Sequence, residues 1–397
     1  MQWHRLNLAR PADLSAASEF SKKASVSANR NGRAFDLDWR CEPDGDVSSL
    51  RALVLREGSS MLGFALFSIH RLPLKLCAGE ITFANVDLIR HWHPAEPYLE
   101  SYLTSEATVD ACGRLLDLTV AELGHGECLF FEGMPADGPM RKALAATRRV
   151  PAVRLELGDE FEHQFIRMPS TLAEYVTQLG SRSRQSVLYS QRRLRKDMGG
   201  DVRCECFESV ESVDRFVSDA VAVSRKTYQW NLLGLGLRDA DGLRGTLTHA
   251  ARHGWLRSFI LYCKESPAAF MLGSQHGDCY YYDDVGYDPA FAKWSVGSVL
   301  QIEVLEHLFA RADKPSLFDF SVGYGEHKAR FGNLSRRECN TLVLPPTTRN
   351  RLVASVHRGA DATSRLAARV LQRTGLKNRM KQLIRHRSKR TGDEESL

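Results

Sequence analysis

The passage from Ser258 to Gly323 constrains the fold more than any other part of the chain. Three β-rich runs, 258-SFILYCK, 268-AAFMLGSQ and 279-CYYYDDVGY, are separated only by the triplets ESP and HGD. Connections so short leave no room for a crossover, so these strands must form an antiparallel meander. The next segment, 295-SVGSVLQIEVLEHLFARA, places Val296, Val299, Leu300, Ile302, Leu305, Leu308 and Phe309 at helical intervals. A short run, 316-SLFDFSVG, then reads as a returning strand. Three antiparallel strands, a helix and a further strand make a compact α/β core.

The first half echoes that order without recognisable sequence identity. The runs 51-RALVLR and 61-MLGFALFSI flank the turn-like EGSS, and a third apolar run surrounds Ile81 and Phe83. A helix is expected near 108–123, a buried strand at 127-ECLFFEG and a helix at 139-PMRKALAATRR. Between the halves, 170-STLAEYVTQLG predicts a helix capped by Ser170 and stopped at Gly180. A basic helix, 183-SRQSVLYSQRRLRKDMGG, follows. After the strand-like 202-VRCECF, helical periodicity returns over 211–230.

A chain of 397 residues exceeds a typical single core, and two domains plus an extension are expected. The start lacks the apolar core of a secretory signal, and no apolar run approaches ~20 residues. Nine cysteines are scattered without framework spacing, which suits a reducing, cytoplasmic setting. The net charge of +6 is uneven. From Arg349 onward there are 13 lysines and arginines against four acids, leaving 41 basic and 44 acidic residues before it. This tail has Leu352, Val356, Leu366, Val370, Met380 and Ile384 at helical intervals. It could lie on an anionic membrane at the inner face, or dock on the globule with its arginines in water.

Three further motifs resemble those of a known family. The stretch 181-SRSRQSVLYSQRRLRKDMGGDV resembles the basic helix of FemAB-like and CelD-like acetyltransferases of the GNAT superfamily. The stretch 281-YYDDVGYDPAFAKWSVGSVL resembles their tyrosine-rich strand, Tyr-Asp-Pro turn and Ser-Pro-Gly helix start, and 319-DFSVGYGEHKARF resembles their closing motif. Val296 replaces the usual proline, His327 the usual tyrosine and Phe331 the usual tryptophan. The resemblance implies an α/β (α+β) fold of two tandem GNAT-like domains, each a mixed, mostly antiparallel sheet flanked by helices, plus a basic helical tail. The expected division is a degenerate domain at 1–165, the acyltransferase domain at 166–345 and the tail at 346–397. The implied donor is acetyl-CoA, without a metal, and the implied acceptor an amino group on a sugar or small metabolite in polysaccharide or cell-envelope assembly.

Acyl transfer needs a base for the nucleophile, donors for the oxyanion and an acid for the leaving thiolate. His327 is the titratable candidate nearest neutrality, with Asp319 to orient it or to brace the Gly323–Gly325 turn. Strand alternation puts Tyr281, Asp283 and Val285 on one face and Tyr280, Tyr282 and Asp284 on the other. One aspartate could serve as base, or could pair with Lys293 or Arg330. Trp294, Ser295, Gly297 and Ser298 open a helix and could anchor the donor's pyrophosphate, or simply cap the helix. Lys328 and Arg330 could meet phosphate or an acidic acceptor, or be solvated. Arg184 and Arg192, two turns apart, could line an anion groove, and Trp230 could wall a sugar site or sit in the core. The His91–Trp92–His93 and Cys204–Cys206 pairs are too sparse for zinc. No Gly-x-Ser-x-Gly elbow is present. Two rivals remain open: a FemAB-like transferase using charged tRNA, favoured by the basic helix and tail, and an inactive scaffold of a polysaccharide-synthesis complex.

Overall fold

Strand-forming sequence from both halves of the chain joins one 14-stranded sheet. The computed structural model describes residues 1–397 except 28–31, 42–45, 79–80, 95, 147–151, 228–235, 239–241, 324 and 374–397. The first half begins with β1 (Gln2–Leu6), α1 (Pro11–Ser27), α2 (Gly32–Phe35) and α3 (Leu37–Arg40). It continues with β2 (Leu50–Glu57), β3 (Ser60–Ala78), β4 (Ile81–Pro94), β5 (Tyr98–Leu99), α4 (Ser105–Glu122), β6 (Glu127–Pro135) and α5 (Pro139–Ala146). Then come β7 (Val153–Glu156), β8 (Phe161–Arg167), α6 (Leu172–Gln178), α7 (Ser181–Asp197), β9 (Val202–Phe207), α8 (Val213–Arg225) and α9 (Leu243–Arg252). The chain ends with β10 (Ser258–Cys263), β11 (Ser266–His276), β12 (Cys279–Tyr287), α10 (Val296–Ala310), β13 (Leu317–Asp319), α11 (Glu326–Phe331), β14 (Leu334–Leu344) and α12 (Thr348–Arg373).

The strand order is β1-β2-β3-β4-β6-β14-β8-β13-β12-β11-β10-β9, with β5 on β3 and β7 on β14. The expected meander is present as β10–β11–β12, antiparallel throughout. β13 then returns parallel to β12 after α10. The first half repeats this device: β4 and β6 are parallel and α4 joins them. β14 lies between the two units, antiparallel to both β6 and β8. The boundary expected at 165/166 falls inside β8.

Burial explains where alternation failed. Every residue of β10 is buried, because α7 and α10 cover one face and α8 the other. A strand covered on both sides reads as an unbroken apolar run. One core packs Tyr280, Tyr282, Phe259 and Phe318 under α10. Another packs Phe67, Phe131 and Leu129 under α4 and α5.

Several elements differ from the sequence expectation. β3 and β4 are far longer than the short runs read at 61–69 and near 81–83, and His91 and His93 belong to β4. Helix α6 is capped by Thr171, which accepts from the Glu174 N–H at 3.2 Å, not by Ser170. It ends at Gln178, and Gly180 caps α7 instead. The tail does begin as a helix, α12, which buries Ala354 and His357 and leaves Leu352 and Val356 exposed. No described helix is long and apolar enough to cross a membrane.

Candidate active site

β12 and β13 pair in parallel for only three residues, ending with Tyr281 opposite Asp319. β12 runs on to Tyr287 while β13 stops, so the strands part beyond Tyr281. Tyr282 is the first residue past the parting. Its hydroxyl lies 3.1 Å from His327 Nε2, contributed by α11. Gly325, before α11, permits this: a Cβ there would come within 2.8 Å of the His327 ring. Burial, and then the charge on Lys328, lower the His327 pKa, so the imidazole is neutral near pH 7. Burial raises the Tyr282 pKa, with Asp284 adding to it, so the phenol keeps its proton.

A turn after β13 holds this pair. Ser321 takes the left-handed conformation at φ 58°, and its N–H donates to Asp319 Oδ1 at 2.7 Å. Its hydroxyl donates to the Tyr282 carbonyl. Lys328 Nζ donates to the carbonyls of Ser321 at 3.1 Å and Val322 at 3.4 Å. Asp319 also meets His163 Nε2 at 2.6 Å, while His163 Nδ1 meets Glu338 of β14 at 2.8 Å. Burial opposes charge on His163, but the hydrogen bonds to Asp319 and Glu338 outweigh it and raise its pKa to about 9. A buried imidazolium therefore ties β8, β13 and β14 together. Asp319 braces the turn and makes no contact with His327 among its hydrogen bonds.

The two aspartates of β12 part company at a bulge opposite Leu272 and Gly273. Asp283 keeps the Tyr281 face, where Arg33 of α2 grips it at 2.9 and 2.6 Å. Its partner is thus Arg33, not Lys293 or Arg330 as the sequence suggested. Past the bulge Val285 joins the core of Tyr280 and Tyr282, on the face opposite to that expected from strict alternation. Asp284 accepts from the Val285 N–H at 2.7 Å, and burial raises its pKa.

The start of α10 is open. Ser295 stands at its N-cap with φ 53° and makes no side-chain cap, and the first turn carries no acid. The Ser298 and Val299 N–H groups reach back to the Ser295 carbonyl, leaving those of Val296 and Gly297 unengaged by it. A Cβ on Gly297 would meet nothing nearer than the Tyr287 ring at 3.7 Å. The counterpart helix α4 differs: Thr104 caps it and Glu106 sits in its first turn. The residues at α10 fit an anionic donor group; those at α4 do not.

The other expected ligands are dispersed. Trp294 donates to Asp197 at 2.9 Å, fastening α7. Arg330 donates to the Ser183 carbonyl at 3.2 Å, and Lys328 holds the turn. Arg184 and Arg192 lie on α7 without an ion pair among the described residues, and Trp230 lies outside the described residues. Two surface cavities, about 530 and 540 Å³, lie on α1 and between α4 and α5, away from this site. No group of three or more His, Cys, Asp or Glu among the described residues could hold a metal ion. Sequence reading missed Arg33 and His163, whose partners are up to 250 residues away, and Ser321, whose role depends on its left-handed backbone.

The family model described as "Acetyltransferase (GNAT) domain" matches residues 181–329, from the start of α7 into α11. The match spans less than half of the chain, and over it the sequence is similar to that family. The parted parallel strands and the open α10 start both lie inside it. The chain also resembles solved structures. The crystal structure of FemX is similar over 90% of this chain and 99% of that one, at 10% identity and a TM-score of 0.57. A conserved protein of unknown function from Bacteroides thetaiotaomicron VPI-5482 is similar over 85% and 99%, at 13% identity and a TM-score of 0.50. These likenesses are of fold and extend well beyond residues 181–329 into the first half. No curated protein matches the sequence significantly.

Proposed function

We propose that the protein transfers an acetyl group from acetyl-CoA to an amine on a sugar or small metabolite. The observation that carries this is the 3.1 Å Tyr282–His327 pair at the parting of β12 and β13, beside an uncapped helix start. The Val296 and Gly297 N–H groups would hold the donor's pyrophosphate. His327, neutral near pH 7, takes the proton that the amine loses as its nitrogen attacks the thioester carbonyl. Tyr282 gives its proton to the sulfur as the carbon–sulfur bond breaks. The imidazolium then returns a proton to the tyrosinate across their hydrogen bond, restoring the pair. Acetylation of amines at this point in a cell-envelope or polysaccharide pathway is the expected role.

Thiol release from acetyl-CoA, screened over amino sugars and small amines, tests this reading. Calorimetry with acetyl-CoA should show binding that weakens when Gly297 is replaced by Asp. Absence of both binding and thiol release would remove it.

A second reading takes the acyl group from a charged RNA. Helix α7 exposes Arg182, Arg192, Arg193 and Lys196 around Tyr189, which is 63% exposed. Such a basic, aromatic surface suits a nucleic-acid backbone. Salt-sensitive tRNA binding with no response to acetyl-CoA would favour it. Contact with an anionic membrane is proposed for α12, where Leu352 and Val356 lie one turn apart among arginines. Cosedimentation with phosphatidylglycerol vesicles, lost in Leu352→Glu, checks it.

A further inference from the structure

Helices α2 and α3 carry one guanidinium to each half of the sheet, on the face opposite α10. Arg33 is engaged by Asp283 of β12 and by the Ser274 hydroxyl of β11. Arg40 donates to the Ser68 hydroxyl and lies 4.0 Å above the Trp92 ring. Trp92 and Ser68 are cross-strand partners, and the neighbouring pair on that face is Arg90 with His70. Arg90 lies 5.5 Å from the Phe130 ring.

Among the described residues, neither Arg40 nor Arg90 has a carboxylate within ion-pair distance, and both Nε atoms are buried without a hydrogen-bond partner. Glu132, the carboxylate whose charge reaches Arg40, already accepts from Trp92 Nε1 at 3.2 Å. Burial, with Arg33 and Arg90 alongside, brings the Arg40 pKa down to about 9. Burial, then the charges on Arg90 and Arg40, lower that of His70. Arg40 spends one Nη on Ser68; its remaining donors, and those of Arg90 two residues from Trp92 on the same face of β4, have no carboxylate partner among the described residues and suit an oxyanion.

We infer that Arg40 and Arg90, with His70 beside them, bind a phosphoryl group on the α2–α3 face of the sheet. The occupant is a phosphate, pyrophosphate or phosphate ester, held by two guanidinium edges above Trp92. The Arg33–Asp283 bridge ties the helices that carry Arg40 to the strand that carries Tyr282, on the side of the sheet away from α10. A phosphorylated acceptor seated there would approach the parting strands from the face opposite the donor. That acceptor role rests on the acyl-transfer reading; the binding itself does not.

The test is calorimetric titration of the full-length protein with pyrophosphate at fixed ionic strength and without acyl donor. Saturable binding is expected, weakened at least tenfold in Arg90→Gln and in Arg40→Gln. The unliganded Arg90→Gln protein should also melt higher than the parent, because an uncompensated like charge has gone; a merely structural arginine would lower the melting temperature. If Arg40→Gln does not fold, the partly exposed Arg90 carries the test alone. Phosphatidylglycerol vesicles in place of pyrophosphate separate a lipid-borne phosphoryl group from a soluble one. Absence of saturable binding to both, or binding unchanged by the substitutions, overturns the inference. Pyrophosphate binding without thiol release would leave it standing and remove the acyl-transfer reading.

Discussion

The proposed chemistry rests on one imidazole, His327, whose position depends on the absence of a methyl group two residues earlier. Replacing His327 by Ala should lower kcat by roughly 10²–10⁴-fold, the usual worth of a positioned proton acceptor, with the melting curve unchanged. Because burial and Lys328 hold its pKa below the ordinary histidine value, the acidic limb of kcat/KM should fall below pH 6.5. Activity is retained above that limb and lost as pH drops through it. A limb at or above 6.5 would show that another group takes the proton. Gly325→Ala should leave the extended backbone intact, since its φ of −158° suits any residue. Its new methyl would instead push the imidazole off Tyr282, giving lower kcat with little change in stability. Chemical-shift perturbation at His327 in the variant checks the displacement directly.

At the scale of elements, the buried Asp319–His163–Glu338 bridge fastens three strands beside the site. Substituting His163 by Gln removes the cation between Asp319 and Glu338, leaving Asp319 without one while Glu338 keeps Arg336, a loss on the order of 3–5 kcal/mol by analogy with broken buried pairs. The bridge also makes stability depend on pH. Its histidine pKa rises on folding from the unfolded value near 6.5 to about 9. The stabilisation is therefore complete below about 6.5 and disappears as pH climbs through 9, amounting to about 3 kcal/mol at most. Urea denaturation at pH 6 and pH 10 should show this difference in the parent and its absence in His163→Gln. The legible part of the site belongs to this scale too. The tyrosine strand, the α10 start and the α11 histidine were readable because each is a local run whose spacing mirrors its geometry. The bulge at Gly273 was not, since it arises from a mismatch between β11 and β12. Nor were Arg33 and His163, whose roles appear only when distant strands become neighbours.

The whole molecule shows why two units were visible and their seam was not. Each unit has a parallel strand pair joined by a helix, and that order is written in hydrophobic runs. The seam is β14, a strand the sequence reading did not single out, and nothing in its residues announces that it pairs with β6 on one side and β8 on the other. A sheet continuous through that strand couples the halves. Calorimetric unfolding should accordingly give one transition whose van't Hoff and calorimetric enthalpies agree. Two resolved transitions would mean that β14 transmits little between them.

The placement of that strand also bears on how the chain is made. On a ribosome, the inner edge of the first unit stays bare from residue 135 until residue 344 has been translated. At ordinary elongation rates that interval is roughly 10–40 s. A nascent chain with so long an open margin needs a chaperone's cover during synthesis, and its yield should fall sharply when such cover is withdrawn.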